Sequence, residues 1–477
     1  MAHRLLARAL LLRRVGGAGL SVRRVAVIGA GIAGLAAAWH LSPPGGSRGA
    51  ASSSSGLSLL GSTLDEHCRV TLFEADARAG GHANTVDVSL PGADGRVVTH
   101  GVDTGFLVLN ERTYPRLIAL FQQLGVDLAP SDMSFSVQAE GGQLEWSGRS
   151  LDAVFAQRRN LLNPRFIGML RELLRFNRLA TALAASGEEA ALRHSIGEFL
   201  DEHRFSPAFR QWYLLPMIGC IWSSPTDQML RFPVATMIRF CHNHGLLQIN
   251  DRPQWMTVRG GSRHYVSRML ERIPDLRLST PVLAVRREPG GAGVHLHTAR
   301  GTEHFDEVIF ACHSDQALRI LGADATLPER EVLGAIRYRP NRAVLHTDTR
   351  LLPRRQRAWA AWNYEHAAAR PEVGQGVCLH YLINLLQPLP FKQPVLVSLN
   401  PLREPRADQV VAQFDYAHPV FDAAAIGAQQ QLPRLQGQRH TWFCGAWAGH
   451  GFHEDGLKSA LDVVQALRAR RAEALAA

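Results

Sequence analysis

A short apolar run at residues 25–28 (VAVI) is the first strong pattern in the chain, and glycines follow it at once. A continuous apolar run of this kind is typical of a strand buried in a parallel sheet. The alanine-rich segment from Leu35 to Leu41 then predicts a helix, which Pro43 and Pro44 end. A second buried strand is predicted from Arg69 to Glu74. This order of elements predicts the start of an α/β domain.

The pattern becomes mainly helical from about Tyr114 to His244, and Pro164 to Ala185 has the apolar spacing of an amphipathic helix. Residues 42–62 are mostly Ser, Gly, Pro and Ala, which cannot bury apolar area, so we predict a flexible insertion there. Further strands, a mixed region with proline-bounded strands, and a closing strand and helix are predicted at residues 282–285, 307–311, 339–421, 441–444 and 457–474.

The composition is that of an ordinary globular protein, with 46% hydrophobic and 20% charged residues. No apolar run reaches the roughly 18 residues that a membrane-spanning helix requires. The net charge of +10 is spread along the chain without basic clusters. We therefore expect no nucleic-acid partner.

The six cysteines form no CxxC pair and no zinc-ligand spacing. We therefore expect no disulfide framework, no metal site and a reduced, cytoplasmic setting. Residues 1–24 are rich in arginine and contain no acid. Two interpretations of residues 1–20 stay open: an over-extended start, or a leader that directs the protein to an organelle such as a mitochondrion or plastid.

Residues 29–34 (GAGIAG) carry the GxGxxG pattern in its required place between a strand and a helix. Here Gly29 permits the tight turn, Gly31 lets the backbone approach a pyrophosphate, and Gly34 lets helix and strand pack closely. The helix N-terminus offers free N–H groups to the phosphates. Glu74 ends the second strand, where a carboxylate binds ribose hydroxyls and disfavours NADP. The pattern predicts FAD or NAD, bound by a loop that also includes Ala30 and Ala33.

Further segments, in the same order, resemble those of the flavin amine oxidase superfamily: residues 74–82 (EADARAGGH), 101–106 (GVDTGF), 258–262 (VRGGS) with the strand 281–285, and 443–457. The resemblance implies FAD held non-covalently. It also implies cofactor contacts at Arg78, Gly80, Gly81, His82, Thr104, Gly105, Val282, Gly445, Gly456 and Leu457.

The same resemblance implies a discontinuous Rossmann-type FAD-binding domain and an α+β substrate domain within an amine-oxidase-like α/β fold. We place the FAD-binding domain at residues 21–110, 255–315 and 430–477. The substrate domain then comprises residues 111–254 and 316–429.

Two segments indicate a subfamily: residues 81–85 (GHANT) and 449–456 (GHGFHEDG). They are similar to predicted FAD-dependent oxidoreductases that are encoded beside, or fused to, cyclopropane fatty-acyl synthases. This resemblance implies a lipid acyl substrate and a functional link to a fatty-acyl-modifying methyltransferase.

The polar and aromatic groups expected nearest the flavin are His453, Glu454 and Phe452. His453 is either a proton shuttle or a histidine bonded to its surroundings. Amine oxidases usually add an aromatic cage and a lysine, but the aromatic position falls at Phe452, and Lys392 fits that motif poorly. An apolar pocket, or simply core, is expected to include Trp212, Tyr213, Trp222, Trp255, Trp359 and Trp362.

We predict FAD-dependent dehydrogenation of an apolar organic substrate, first an unsaturated or branched fatty acyl chain. The alternatives are an amine oxidase and a flavin-binding protein with a non-redox role. The basic amphipathic segment Pro164 to Ala185 either lies on a membrane or packs its apolar face inward.

Overall fold

The predicted strand at residues 25–28 lies at the centre of a parallel sheet in the computed structural model. The structure describes residues 22–43, 68–188, 192–248, 252–288, 290, 293–366 and 377–476. The proposed leader at residues 1–20 lies outside this part of the chain, as does nearly all of the predicted insertion at 42–62.

Twenty strands are present in the described residues. They are β1 Arg24–Ile28, β2 Arg69–Phe73, β3 Thr85–Pro91, β4 Val97–Asp103, β5 Leu109–Asn110, β6 Leu128–Ser131, β7 Phe135–Ala139, β8 Leu144–Ser147, β9 Trp255–Val258, β10 Asp275–Arg277, β11 Val282–Arg287, β12 Val294–Thr298, β13 Gly301–Phe305, β14 Glu307–Phe310, β15 Arg337–His346, β16 Trp362–Glu365, β17 Cys378–Leu382, β18 Leu396–Leu399, β19 Val410–Val420 and β20 Thr441–Phe443.

The α-helices of the same residues are α1 Ile32–Leu41, α2 Pro115–Leu124, α3 Leu151–Val154, α4 Pro164–Ser186, α5 Ile196–Glu202, α6 Pro207–Phe209, α7 Leu215–Trp222, α8 Thr226–Leu230, α9 Val234–Asn243, α10 Arg263–Leu270, α11 Ser314–Leu321, α12 Leu327–Gly334, α13 Ile383–Leu386, α14 Ala423–Gln431 and α15 His453–Ala476. A π-helical segment, Arg210–Leu214, joins α6 to α7.

The first sheet is parallel, with strand order β10-β2-β1-β14-β20. In β1, residues 25–28 are all buried, as expected of a strand covered on both faces. Helix α15 packs along α1. All five strands come from the segments assigned above to the FAD-binding domain.

A seven-stranded mixed sheet forms the second layer system, with order β19-β15-β18-β17-β16-β7-β8. Its pairs are antiparallel except β16 with β7. Strands β6, β7 and β8 lie in the region predicted to be mainly helical, so that prediction was wrong there. Strands β7 (FSVQA) and β8 (LEWS) do alternate apolar and polar residues, a strand signal that the helical prediction overlooked. Their polar side chains are nevertheless buried: Ser136, Gln138, Glu145 and Ser147.

The predicted helix ends were also inexact. Helix α1 begins at Ile32, before the predicted Leu35, and α15 begins at His453, before the predicted Leu457. Both helices have a glycine in the first turn. Because glycine lowers helix propensity, the sequence did not indicate these starts.

Helix α4 occupies the predicted amphipathic segment. Its Phe166, Met169 and Phe176 are buried, so the apolar face packs inward. Within the described ranges, no helix is both long and apolar enough to cross a bilayer.

Candidate active site

Three glycines have different roles in the loop between β1 and α1, the glycine loop. Gly29 has φ +102°, and a Cβ there would lie 3.0 Å from the Ala311 carbonyl oxygen. At Gly34 a Cβ would overlap the Gly29 carbonyl oxygen at 1.8 Å. A Cβ on Gly31, in contrast, would meet nothing within 4 Å. Gly29 and Gly34 thus permit close packing, while Gly31 borders open space.

That open space faces the N-terminus of α1. Gly31 is the N-cap, no side chain caps the helix, and its first turn has no acid. The N–H groups of this turn therefore keep their donor capacity and face the space with the positive end of the helix dipole. Ala33 is buried in the turn. This arrangement fits a pyrophosphate.

Glu74, directly after β2, lies beside the loop. Its Oε2 accepts a hydrogen bond from the Ala30 N–H at 2.7 Å, and its Oε1 accepts one from the Asp76 N–H at 3.0 Å. A carboxylate has about four acceptor positions, so two stay available to ribose hydroxyls. The Thr280 N–H donates to the Glu74 carbonyl oxygen at 2.8 Å, which brings the segment before Val282 to the same end of the site.

The segment after Glu74 packs onto the glycine loop. The Gly80 N–H donates to the Ala30 carbonyl oxygen at 2.8 Å, and a Cβ on Gly81 would lie 3.2 Å from the Gly31 Cα. Arg78 donates from Nη2 to the Gly81 carbonyl oxygen at 2.8 Å. Both glycines have positive φ, +116° and +57°. The arginine therefore holds the turn against the loop.

His82 follows this turn with a free ring nitrogen. Its Nε2 is buried and has no hydrogen-bond partner among the described residues. The ring stacks on Tyr416 at 4.8 Å and lies 5.2 Å from the His418 ring. Burial, with His418 nearby, holds the pKa of His82 well below its usual range. A buried polar atom without a protein partner beside the glycine loop fits a site that takes a ligand.

Thr104 and Gly105 link the segment around His82 to the mixed sheet. The Thr104 hydroxyl hydrogen-bonds the Tyr416 hydroxyl at 2.8 Å, and the Asn84 amide donates to the same Tyr416 oxygen at 3.0 Å. A Cβ on Gly105 would lie 2.3 Å from the His82 carbonyl oxygen. Thr104 therefore positions Tyr416 on β19, and Gly105 permits the close approach of two loops.

Asp103, at the end of β4, is a site residue that the sequence did not reveal. Its carboxylate accepts from the Ser262 N–H at 2.9 Å and from the Gln387 amide at 2.9 Å, and also from the Thr85 hydroxyl. Burial raises its pKa to about 6. Its place in the segment 101–106 (GVDTGF) was the one available signal. Asp103 thus links Thr85 on β3 to Ser262, directly before α10, and to Gln387, directly after α13.

The C-terminal block closes the site. The Gly445 N–H donates to the Ser459 hydroxyl at 2.9 Å. A Cβ on Gly456 would lie 2.9 Å from the Ile32 side chain, and Leu457 is buried. The start of α15 therefore packs directly on the start of α1.

His453 and Glu454 have protein partners. The His453 ring stacks on Phe106 at 3.7 Å, and its Nε2 lies 3.2 Å from the Tyr265 hydroxyl. Burial lowers its pKa to about 3. Glu454 accepts from the Arg116 and Leu117 N–H groups at 3.1 and 2.9 Å. This geometry assigns Glu454 to capping the N-terminus of α2; a catalytic role for His453 stays a prediction.

The sequence profile of the flavin containing amine oxidoreductases matches residues 32–357. The chain belongs to this family. It is therefore an FAD-dependent oxidoreductase, which confirms the predicted family, fold class and cofactor. Among curated proteins no sequence matches the chain.

Solved structures share the fold of this flavin oxidoreductase at low identity. The CLA-producing fatty acid isomerase from P. acnes has TM-score 0.63 and 15% identity, over 93% of this chain and 98% of that one. Cyclohexylamine oxidase from Brevibacterium oxydans has TM-score 0.63 and 17% identity, over 94% and 99%. A putative protoporphyrinogen oxidase from Exiguobacterium has TM-score 0.60 and 18% identity, over 95% and 100%.

Phe452, which directly precedes His453, belongs to an aromatic cluster. Its ring stacks on Phe240 at 5.1 Å and lies 6.0 Å from His244. Phe240 continues to Trp222 at 4.8 Å, and His244 to Trp255 at 6.3 Å. The other predicted pocket aromatics lie outside this cluster: Trp212, Tyr213, Trp359 and Trp362.

The flavin oxidoreductase has two lysines, and both are on its surface. Lys392 is exposed, and its N–H donates to the Pro91 carbonyl oxygen. Lys458 is exposed and paired with Asp462 at 2.8 Å. Neither lysine is placed to contact a buried flavin ring.

Proposed function

We propose that this flavin oxidoreductase dehydrogenates an apolar organic substrate, with an unsaturated or branched fatty acyl chain as the leading candidate. FAD supplies the hydride acceptor when bound. The observation that carries the proposal is the aromatic cluster that Phe452 forms with Phe240 and His244, which continues to Trp222 and Trp255.

The histidines of this region support a neutral pocket. Burial lowers the pKa of His418 and of His244 to about 4 each, and that of His453 to about 3. All three rings are therefore uncharged at pH 7. The nearby carboxylates of Asp103, Glu454 and Asp455 each accept a backbone N–H group already. A substrate ammonium group entering here would lose hydration without gaining a free counter-ion, which is costly.

The aromatic cluster around Phe452 supports an apolar substrate. Phe240, Trp222 and Trp255 are buried, whereas Phe452 is only partly buried. Phe452 thus forms the accessible end of an apolar wall. Such a wall positions a hydrocarbon chain by excluding water, while a flavin needs little acid–base chemistry from the protein.

We also propose that FAD is held non-covalently. The contacts offered by α1, Glu74 and the turn at Gly80 and Gly81 are all reversible. Precipitation of the protein with acid is expected to release the whole flavin absorbance into the supernatant. Colour that stays with the precipitate would show a covalent bond.

We propose, in addition, that the lipid substrate is met at an anionic membrane surface. Leu161 and Leu162 precede α4 and are 52% and 90% exposed. Exposed arginines flank them at Arg158, Arg159 and Arg165. Apolar side chains surrounded by basic ones are typical of peripheral membrane contact.

A non-redox role is the second candidate function. A fatty acid isomerase shares the fold, although at 15% identity. In that case FAD would be needed, but no net electrons would leave the substrate.

The test is anaerobic addition of candidate substrates to the purified yellow protein. Phospholipids with unsaturated or branched chains are expected to bleach the flavin spectrum, and cyclohexylamine or putrescine is not. Bleaching by the amines alone would establish the amine oxidase alternative. A spectrum that no substrate changes, with lipid double bonds that move, would establish the isomerase.

A further inference from the structure

A cluster of metal-ligating side chains lies in the mixed sheet, on strands that the flavin site does not use. Glu365 ends β16, and Cys378 and His380 lie on the adjacent β17, where Glu365 and Cys378 are paired in register. Cys378 and His380 are two residues apart, so they share a face of the sheet. Both are buried, with 3% and 1% exposed, and Glu365 is mostly buried.

The three ligand atoms have the spacing of a coordination shell. Glu365 Oε2 lies 3.1 Å from His380 Nε2 and 3.9 Å from Cys378 Sγ, and Sγ lies 3.5 Å from Nε2. Tetrahedral zinc with its usual bond lengths keeps such atoms about 3.3 to 3.6 Å apart. A cation at the centre therefore requires shifts of only a few tenths of an ångström.

The His380 ring is held in the orientation that a ligand needs. Its Nδ1 contacts the Ser398 hydroxyl at 2.7 Å, and the same hydroxyl contacts His346 Nε2 at 2.7 Å. His346 Nδ1 in turn accepts the Asp348 N–H at 3.0 Å. Ligating histidines usually have a partner of this kind on the other ring nitrogen. The ring is thus fixed with Nε2 directed at Glu365.

An unpartnered acceptor lies beside the cluster. Gln138 on β7 is paired in register with Glu365 and is 8% exposed. Its Oε1 is buried and has no hydrogen-bond partner among the described residues. Gln138 and Glu365 both line a cavity of about 250 Å³. Cys378 and His380 do not line this cavity, so the fourth ligand that the structure itself offers is the amide oxygen of Gln138, on the strand at the other side of Glu365.

Cationic groups also border this cavity. Arg403 Nη2 lies 3.3 Å from Glu365 Oε1, the oxygen that does not face His380. Arg350, Arg354 and His366 line the same cavity. Arg350 is paired with Asp348. Arg403 thus engages Glu365 Oε1, whereas Glu365 Oε2 faces His380 and the Cys378 thiol.

We propose that Glu365, Cys378 and His380 bind one divalent cation of the zinc class, with Gln138 Oε1 or water in the fourth position. Thiolate, imidazole and carboxylate together favour zinc over the harder magnesium and calcium ions. As the metal–sulfur bond forms, the Cys378 S–H proton is released to solvent. The ion would tie β16 to β17 and, through Gln138, to β7. The site is independent of the proposed redox function, and it departs from the expectation of no metal.

Zinc chloride alone is the probe, added to the chelator-treated, FAD-containing full chain before desalting. We expect about one zinc per chain and uptake accompanied by release of about one proton. Zinc-edge X-ray absorption is expected to show one sulfur at about 2.3 Å and lighter ligands near about 2.0 Å. This measurement needs no variant. A spectrum with only nitrogen and oxygen neighbours, or no retained zinc, would overturn the proposal.

Variants locate the site. Cys378→Ser and His380→Gln are expected to lose zinc, and His346→Gln to bind it about 10 to 100 times more weakly. Cys241→Ser, which alters a buried thiol outside the cluster, is expected to keep it. Retained FAD shows that each variant is folded. Equal zinc in all four variants would assign the metal to surface histidines and contradict the site.

Discussion

The Glu74 carboxylate accepts a 2.7 Å hydrogen bond from the backbone N–H of Ala30, 44 positions earlier in the chain. This contact links the end of β2 to the glycine loop at the end of β1. The carboxylate thus helps to shape the loop and still keeps lone pairs for ribose hydroxyls.

Gly31→Val is expected to abolish FAD retention without unfolding the protein. The new side chain would occupy the open space at the start of α1, where no protein atom lies within 4 Å of a Cβ. We expect at least about tenfold less flavin after purification, measured by absorbance. Gly148→Val is the matched control, because a Cβ there also meets nothing within 4 Å. A yellow Gly31→Val protein would refute the assignment of the loop.

Glu454→Ala is expected to lower stability more than activity. Its carboxylate accepts two N–H groups at the start of α2, and their loss costs about 1 to 3 kcal/mol. Denaturant unfolding measures the change, with the exposed Glu331→Ala on α12 as the control. A complete loss of turnover at unchanged stability would show instead that Glu454 acts in catalysis.

Acid is expected to destabilise the protein through its buried histidines. Burial lowers the pKa of His453 to about 3. In acid, the unfolded chain therefore binds a proton at this histidine and the folded protein does not. Above about pH 6.5 the neutral ring costs no stability. As the pH falls below this value, the free energy of unfolding decreases by at most about 1.4 kcal/mol per pH unit for each such histidine.

His453→Phe is therefore expected to flatten the dependence of unfolding free energy on pH between about pH 6.5 and 4. The ring stack on Phe106 can be kept by the new side chain. His264→Phe, at an exposed position, is the control. Asp103 acts in the opposite direction. Burial raises its pKa to about 6, so its contribution to the free energy of unfolding increases as the pH falls and offsets part of the slope. An unchanged slope in His453→Phe would contradict the burial argument.

Leu162→Asp is expected to weaken sedimentation with anionic phospholipid vesicles about tenfold. The side chain is 90% exposed among arginines, so its loss should not disturb the fold. Leu327→Asp, at a position 68% exposed on α12, should bind vesicles like the original protein. Equal binding by both variants would remove this segment from the membrane contact.

The cofactor loop could be predicted from sequence because its determinants are local. Gly29, Gly31 and Gly34 act within one turn between adjacent elements. The contacts between segments far apart in the chain could not be predicted in this way. Asp103 meets Ser262 across 159 positions and Gln387 across 284, and nothing in their immediate neighbours indicates the contact.

The same limit applies to Glu454, which caps a helix 337 positions away. It applies also to Glu365 and His380, whose approach depends on the pairing of β16 with β17. Strand pairing is decided by the packing of the whole sheet, and spacing along the chain does not reveal it.

The most direct test of the central claim is the mass balance of lipid and flavin under anaerobic conditions. One equivalent of FAD-loaded protein is mixed with a phospholipid carrying an unsaturated or branched acyl chain, and the lipid is analysed by mass spectrometry as the flavin spectrum bleaches. Dehydrogenation predicts one acyl chain lighter by two hydrogens for each flavin reduced. Lipid of unchanged mass beside a fully oxidised flavin, or bleaching by amines alone, would contradict the account.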